Sequence, residues 1–262
     1  MKQIIFRADD FGSAGAADQA ILQILQAGGP VRNVSCMAPG VRMAADAAAL
    51  AQFADRIDIG LHFTVNSEWD AVKWTPCAPK DRIGSLLDSS GEFYQSGPAL
   101  QEAAPDLPQV MLELDAQLDR LTSLGLPVSY VDGHMFPERF IPGLADEMRR
   151  WAARKGLIFA DECLCCYHGG PAFSNSTEGF LKNTEDWLRR LPEEQQLYVM
   201  HPAQFGAETL LFANSSYGMG IVAWERELEY RSALSPVWAR WQQEIGRKLL
   251  RFRDAEIPEK GI

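Results

Sequence analysis

The sequence has few cysteines and no long apolar run, and each shortage excludes a class of protein. The five cysteines are an odd number, and three of them crowd together at positions 163, 165 and 166. A disulfide framework is therefore not expected. No stretch of roughly 18 apolar residues is present to span a bilayer, and charged Arg7 follows the N-terminus too closely for a signal peptide. We expect a cytoplasmic protein with no membrane partner.

Basic residues are fewer than acidic ones, with 25 lysines and arginines against 35 aspartates and glutamates. The formal net charge is -10, and no cluster of lysines and arginines is present that could follow a phosphate backbone. This balance argues against nucleic acid and anionic membrane surfaces as partners. A chain of 262 residues with 47% hydrophobic and 23% charged residues is ordinary for a globular domain and long enough for an α/β barrel.

Apolar runs with strand character alternate with helical patterns along most of the chain. The predicted strands are Gln3–Arg7, Asn33–Met37, Arg56–Phe63, Val128–Asp132, Leu157–Ala160, Gln196–Met200 and Lys248–Phe252. The predicted helices cover 16–26, 44–54, 107–121, 141–155, 184–191, 224–233 and 236–245. Such alternation implies a parallel sheet. Because polar candidates follow several different strands, a (β/α) barrel, closed or incomplete, is favoured over an open doubly wound sheet.

Two stretches interrupt this alternation. Residues 64 to about 105 carry scattered prolines and glycines and predict a long loop excursion, and residues 162–182 predict a second irregular segment. A loop as long as the first is usually functional when it belongs to a compact domain. No linker or internal repeat divides the chain, so residues 1–262 are interpreted as one domain.

Carboxylates and imidazoles follow four of the predicted strands. Asp9 and Asp10 come after the first strand, and His62, His134 and His201 each lie at or just after the end of a later one. In a parallel α/β protein the carboxyl ends of the strands converge on one face. We therefore expect these five side chains to lie close together.

The aspartate pair and two histidines suggest a metal site. Neighbouring carboxylates repel each other and need a cation or a proton nearby, although one of Asp9 and Asp10 could instead cap the following helix. One carboxylate with two imidazoles leaves positions open for water, as in a catalytic site. A lone histidine at a strand end is more often an ordinary hydrogen-bonded residue, but His62 and His134 together favour a metal.

Asp132, His201 and His168 each allow an interpretation that gives them no role in metal binding or catalysis. Asp132 could fix the tautomer of an imidazole or simply occupy a turn. His201 could be a general acid or a strand-end residue preceding Pro202. His168, in an irregular stretch rich in glycine, is interpreted as a solvated side chain.

Four short segments resemble, in order, the YdjC-like family of carbohydrate deacetylases, which includes chitooligosaccharide and hopanoid-pathway deacetylases. They are Ala8–Gly12, Gly60–Thr64, Val131–His134 and His201–Pro202. Each motif is short, and their order and spacing make the match specific. The resemblance implies a (β/α) barrel related to the polysaccharide-deacetylase barrels.

The resemblance also implies roles. Asp10, His62 and His134 align with the metal ligands, Asp9 with the catalytic base and His201 with a catalytic acid. The family metal is described as magnesium or zinc, and imidazole ligands favour zinc or a similar transition metal.

The sequence departs from the family pattern at two positions. Many relatives have a further histidine where this chain has Phe136, and many have glycine where this chain has Ala203. Phe136 is expected to affect the choice of substrate more than the binding of the metal.

The predicted function is metal-dependent removal of acetyl groups from N-acetylated amino sugars, with a small acetylated sugar as partner and a homodimer left open. Phe11, Trp69 and Trp74 are candidate substrate-binding residues, although loop aromatics such as Trp69, Trp74 and Phe93 more often pack a loop onto the barrel. Two alternatives are a catalytically weak sugar-binding or regulatory relative and a metal-dependent hydrolase of another bond, such as a phosphoester. The acidic charge balance disfavours the second.

Overall fold

The computed structural model describes residues 2–163, 166–167 and 169–255. His168 and Cys165, both considered from the sequence, lie outside the described residues. Within the described chain, no helix is both long and apolar enough to cross a bilayer.

Within the described residues, eight strands form one sheet, and every pairing between them is parallel. They are β1 (Lys2–Phe11), β2 (Asn33–Cys36), β3 (Asp58–Phe63), β4 (Val128–Gly133), β5 (Ile158–Phe159), β6 (Cys166–Tyr167), β7 (Gln196–Met200) and β8 (Arg247–Leu250). The order is β5-β4-β3-β2-β1-β7-β6, and β8 pairs with the first half of β1. Because β5 and β6 end this path, the predicted (β/α) barrel is confirmed in its incomplete form.

Ten α-helices lie between the strands or follow them in the described chain. They are α1 (Gly15–Gln26), α2 (Met43–Ala51), α3 (Gly97–Ala103), α4 (Leu107–Ser123), α5 (Pro137–Phe140), α6 (Leu144–Lys155), α7 (Thr177–Arg190), α8 (Ala207–Leu210), α9 (Ile221–Leu234) and α10 (Val237–Ile245). The longest, α4, buries Val110, Leu114 and Leu121 at helical spacing, so one face packs against the sheet.

Strand β1 shows how the sequence separates two apolar layers. Its alternate residues Ile4, Phe6 and Ala8 belong to the large core cluster that the surrounding helices cover. Ile5 belongs instead to a second cluster, with Tyr130 and other residues inside the curved sheet. Since strand side chains alternate between faces, the residues at 5, 7 and 9 share the inner face.

The excursion after β3 is more ordered than the sequence predicted. It contains 3₁₀ turns at Lys80–Arg82 and Gly84–Leu86 and then α3. Glu113 of α4 holds it in place, because its carboxylate accepts hydrogen bonds from the backbone N–H groups of Cys77 and Ala78 at 2.9 and 2.8 Å. Long-range side-chain bonds of this kind leave no periodic signal in the sequence.

The predicted irregular stretch 162–182 was too long. Helix α7 begins at Thr177, seven residues before the predicted start at 184. Its N-cap is Ser176, whose hydroxyl accepts a hydrogen bond from the N–H of Gly179 at 3.1 Å. The cap is a local signal that the sequence interpretation overlooked.

Candidate active site

The five predicted site residues lie together at the carboxyl ends of the strands. Asp9 and Asp10 are on β1, His62 is on β3, and His134 and His201 directly follow β4 and β7. All five line one cavity of about 350 Å³. Convergence of parallel strand ends therefore accounts for their meeting, as the spacing predicted.

A local change in backbone conformation lets both neighbouring aspartates face this cavity. The pairing of β1 with β2 shifts register between Ala8 and Phe11, and Asp10 has a φ of 66°. Aspartate tolerates this left-handed conformation better than most residues. Neither aspartate caps α1, because the N-cap is Ala14 and no side chain caps that helix end.

Three ligand atoms converge at the bottom of the cavity. Oδ1 of Asp10 lies 3.3 Å from Nδ1 of His134 and 3.5 Å from Nε2 of His62, and the two nitrogens are 3.2 Å apart. Oδ1 of Asp10 is buried and has no hydrogen-bond partner among the described residues.

These separations fit a divalent cation. Tetrahedral ligands with bonds of 2.0–2.1 Å would lie about 3.3–3.4 Å from one another. An unsatisfied buried carboxylate oxygen facing two imidazole nitrogens is also the arrangement that a cation would satisfy. Asp10, His62 and His134 therefore could hold zinc or a similar ion, and their imidazoles favour a transition metal over magnesium.

The outer nitrogen of each imidazole is held by a buried carboxylate. Nδ1 of His62 lies 3.0 Å from Oδ1 of Asp132, and Nε2 of His134 lies 3.0 Å from Oε2 of Glu68. If each outer nitrogen carries the proton, both inner nitrogens present lone pairs to the same point. The contact between Asp132 and His62 that the sequence interpretation considered is present, and the role of Asp132 in fixing the tautomer stays a prediction.

The buried carboxylates attract positive charge to the two imidazoles. Burial opposes the imidazolium form of His62, but Asp132 and Asp9 outweigh it and raise the pKa of His62 to about 10. Burial likewise opposes the charged form of His134, but Glu68 and Asp10 raise its pKa to about 9. Without a metal, protons would supply the charge that the carboxylates attract.

Arg7 forms ion pairs with two of the carboxylates. Its Nε and Nη2 donate to the two oxygens of Asp9 at 2.6 and 2.7 Å, and its Nη1 lies 2.6 Å from Oδ2 of Asp132. Burial alone would lower the pKa of Arg7, but Asp132 and Asp9 raise it above its ordinary value, so Arg7 remains a cation. Sequence reasoning missed Arg7, although strand alternation puts it on the same face as Asp9.

Two other functional neighbours were also missed. Arg226 of α9 donates from Nη2 to Oδ2 of Asp10 at 2.7 Å, across 216 residues of sequence. Glu68, which holds His134, lies in the excursion after β3. Neither residue lies at the end of a strand, so the rule that identified the other site residues could not find them.

His201 lies beside the metal-site candidates. Its backbone N–H donates to Oε2 of Glu229 at 2.6 Å, which fixes the chain where β7 ends. Burial lowers the pKa of the His201 imidazole, although Asp10 and Asp9 act in the opposite direction. Burial therefore favours the neutral form of this imidazole. Burial also raises the pKa of Glu229 to about 8.

The predicted aromatic contacts are only partly retained. Trp69 lines the cavity and stacks on Phe212 with ring centroids 5.4 Å apart. Phe11 and Trp74 are 0% and 1% exposed and do not line the cavity, so the expectation that they bind substrate is corrected. Phe93 is also buried in the core.

Loops supply a different aromatic surface, which we call the wall. Its members are side chains between 44% and 49% exposed that line the cavity: Met135, Phe136, Phe173 and Tyr217. The ring of Phe136 lies under the guanidinium of Arg139, whose central carbon is 4.1 Å from the ring centroid.

Residues 3–244 match the sequence model of the family described as YdjC-like protein. A carbohydrate deacetylase of Vibrio vulnificus is 27% identical over 234 residues, which cover 87% of this chain and 86% of that protein. Carbohydrate deacetylases of Thermoanaerobacter pseudethanolicus and Geobacillus stearothermophilus are 27% and 33% identical over 51% and 50% of this chain. These two matches span about half of the relatives' own length, 50% and 48%.

Solved structures agree in fold. An Enterococcus faecalis protein named for cellobiose-phosphate cleavage superposes with a TM-score of 0.76 at 20% identity, covering 97% of this chain and 99% of that one. A Streptococcus mutans CE4 esterase gives a TM-score of 0.53 at 13% identity, covering 95% and 85%. The catalytic domain of a peptidoglycan N-acetylglucosamine deacetylase from Eubacterium rectale gives 0.50 at 12%, covering 96% and 88%. The fold is therefore that of the deacetylase barrels.

Proposed function

This chain belongs to the YdjC-like protein family, and we propose that it is a metal-dependent hydrolase that removes acetyl groups from N-acetylated amino sugars or their oligomers. The curated relatives are carbohydrate deacetylases, which supports the reaction class. The observation that carries the metal dependence is the set of three converging ligand atoms on Asp10, His62 and His134, one of them a buried oxygen with no partner among the described residues.

Two groups of side chains would form the proposed metal site. Asp10, His62 and His134 would hold the cation, and Asp132 and Glu68 would orient the imidazoles. When bound, a divalent cation supplies Lewis acidity, which favours deprotonation of water and polarises the acetyl carbonyl.

Asp9 is the proposed base. Arg7 holds both of its oxygens, so the carboxylate has one fixed orientation, and Oδ2 lies 3.8 Å from Nε2 of His62. A carboxylate held this close to the ligand atoms is placed to accept the proton of the attacking water. The water oxygen then bonds to the acetyl carbon.

His201 is the proposed acid. Collapse of the tetrahedral species breaks the C–N bond, and the amine nitrogen needs a proton as it leaves. Because burial lowers the pKa of the His201 imidazole, His201 must receive a proton before it can donate one, and the proton that Asp9 accepts from water balances the reaction when it is passed on to His201. The products are acetate and the free amino sugar.

Acetate release from N-acetylglucosamine oligomers tests this proposal. We expect acetate from the protein as purified, loss of the activity after chelation, and recovery when zinc or magnesium is returned. Unchanged hydrolysis after removal of every ion would contradict the metal role. Tight sugar binding without acetate release from a panel of acetylated sugars would favour the sugar-binding alternative.

A further inference from the structure

A short segment between α8 and α9 contacts the excursion after β3 and helix α9 at the same time. It consists of Phe212, Ala213 and Asn214, which we call the clasp. None of these residues belongs to a helix or strand, and all three are buried or half-buried. The clasp therefore joins two parts of the chain that each supply a partner to a metal-ligand candidate.

Asn214 connects the clasp to the backbone of Glu68. Its Nδ2 donates to the carbonyl oxygen of Glu68 at 2.9 Å, across 146 residues of sequence. Gln95, which belongs to the excursion itself, also donates to this carbonyl at 3.2 Å. The carboxylate of Glu68 lies 3.0 Å from Nε2 of His134. Asn214 therefore helps to fix the backbone from which Glu68 reaches His134.

Two further contacts hold the next residues of the excursion against the clasp. The backbone N–H of Asp70 donates to the carbonyl of Ala213 at 3.0 Å. The ring of Trp69 stacks on that of Phe212 with centroids 5.4 Å apart and an interplanar angle of 21°. Because residues 68–70 lie outside any helix or strand, contacts of this kind must hold them in place.

Phe212 also connects the clasp to Asp10. The guanidinium of Arg226 lies over its ring, with the central carbon 4.9 Å from the centroid, and a cation is attracted to a ring face. Nη2 of Arg226 donates to Oδ2 of Asp10 at 2.7 Å. The clasp thus contacts a partner of Asp10 through Phe212 and a partner of His134 through Asn214.

We propose that the clasp positions two of the metal ligands, and that Asn214 and Phe212 thereby set the affinity of the site for its metal. Side chains that orient metal ligands affect metal affinity, and the clasp holds one such side chain on each side. The inference rests on the proposed metal site and goes beyond the proposed reaction, in which the clasp has no role.

Asn214→Ser separates the clasp contact from the local turn. The Asn214 oxygen accepts hydrogen bonds from the N–H groups of Ser216 and Tyr217 at 2.8 and 3.0 Å, and serine can form a similar but weaker turn. The serine side chain is shorter, so it loses the contact with Glu68 while the net charge stays the same. We expect zinc affinity, measured by competition with a chromogenic chelator, to fall about 2- to 10-fold, as expected for one hydrogen bond.

Asn183→Ser is the matched control. Nδ2 of Asn183 in α7 donates to the carbonyl of Ala172 at 2.8 Å, a bond of the same kind, and neither residue lines the cavity. Zinc affinity should stay at the wild-type value in this variant, and thermal unfolding of both metal-free variants reports any damage to the fold. The effect of Asn214→Ser should also disappear in a Glu68→Ala background, because the proposed action runs through Glu68.

Phe212→Leu tests the other contact of the clasp. Leucine remains apolar but removes the ring beneath Arg226 and the stack on Trp69, so zinc affinity should again fall about 2- to 10-fold. Phe180→Leu is its control, because Phe180 is also 1% exposed and stacks on Phe173 with the same centroid distance of 5.4 Å.

Wild-type zinc affinity in both clasp variants would overturn the inference, and so would equal losses of affinity in the two control variants. A wild-type protein that binds no zinc would refute the proposed metal site and this inference with it. Zinc binding that depends on the clasp, without acetate release by the wild-type protein, would instead refute the proposed deacetylation alone.

Discussion

Two surfaces of the cavity differ in burial and in charge. Its floor is the strand-end cluster of buried acids and imidazoles: Asp9, Asp10, His62 and His134. Each of these side chains has charged or imidazole neighbours within 4 Å. The wall consists of loop side chains that are almost half exposed. We therefore expect substitutions in the floor, which the sheet holds in place, to change the proposed chemistry, and substitutions in the wall, which loops carry, to change substrate preference alone.

Removing a ligand from the floor should have the largest effect. His134→Ala deletes one of three converging ligand atoms, so we expect loss of bound metal and a fall in acetate release on the order of 10³-fold or more. Metal analysis of the purified variant checks this directly. His201→Ala is the control, because it should lower turnover while retaining the metal. Unchanged metal stoichiometry in His134→Ala would show that the ligand assignment is wrong.

Asp9→Asn should separate chemistry from metal binding. The amide cannot accept the proton of water, so we expect turnover to fall by about 10²–10⁴-fold while the metal content stays at the wild-type level. Asp9 also forms a second cluster of possible ligands with His62 and Asp132. Loss of metal together with activity would therefore indicate that Asp9 and Asp10 have exchanged roles.

Glu68→Gln should weaken the metal site without abolishing it. The amide keeps the size of Glu68 but presents a neutral partner to Nε2 of His134, and such changes lower metal affinity by about 10- to 100-fold. Competition with a chromogenic chelator measures this affinity. Glu113→Gln is a matched control, since this second buried glutamate anchors the excursion through Cys77 and Ala78. Equal losses of affinity in both variants would mean that Glu68 acts only through the fold.

Substitution in the wall should have the smallest effect. Phe136→His restores the residue type that the family pattern has there, and we expect KM to change by about 2- to 5-fold, since one ring contact contributes about 0.5–1 kcal/mol. Metal content should be unaffected. Phe205→His is the control, because Phe205 is 50% exposed but does not line the cavity. A loss of metal in Phe136→His would contradict the expectation that the wall does not affect metal binding by the floor.

The floor was predictable because it follows from sheet geometry. Alternating strands and helices predict the parallel sheet, and the rule that strand ends converge predicts that Asp10, His62 and His134 lie together. Arg226 and Glu68 could not be found in this way. Each reaches the site through a side chain on a helix or loop, and their partners are distant in sequence.

The error at Phe11 has a specific physical cause. Along β1, Ile5, Arg7 and Asp9 face inward, and strict alternation would turn Asp10 outward and Phe11 inward. The left-handed backbone of Asp10 and the shifted register reverse this pattern, so Phe11 enters the core. Periodicity alone does not reveal such a reversal. Trp74 instead follows the alternative interpretation made from the sequence, that loop aromatics more often pack a loop onto the barrel, since it is 1% exposed.

The backbone conformation at position 10 makes that residue hard to replace for two unrelated reasons. A cysteine or glutamate could supply a negatively charged donor atom, but each adopts a φ of 66° less readily than aspartate. Glycine, asparagine and histidine tolerate this backbone conformation, yet none of them carries a negative charge. Aspartate both tolerates this backbone conformation and supplies a negatively charged donor atom, so few substitutions at position 10 would preserve the site.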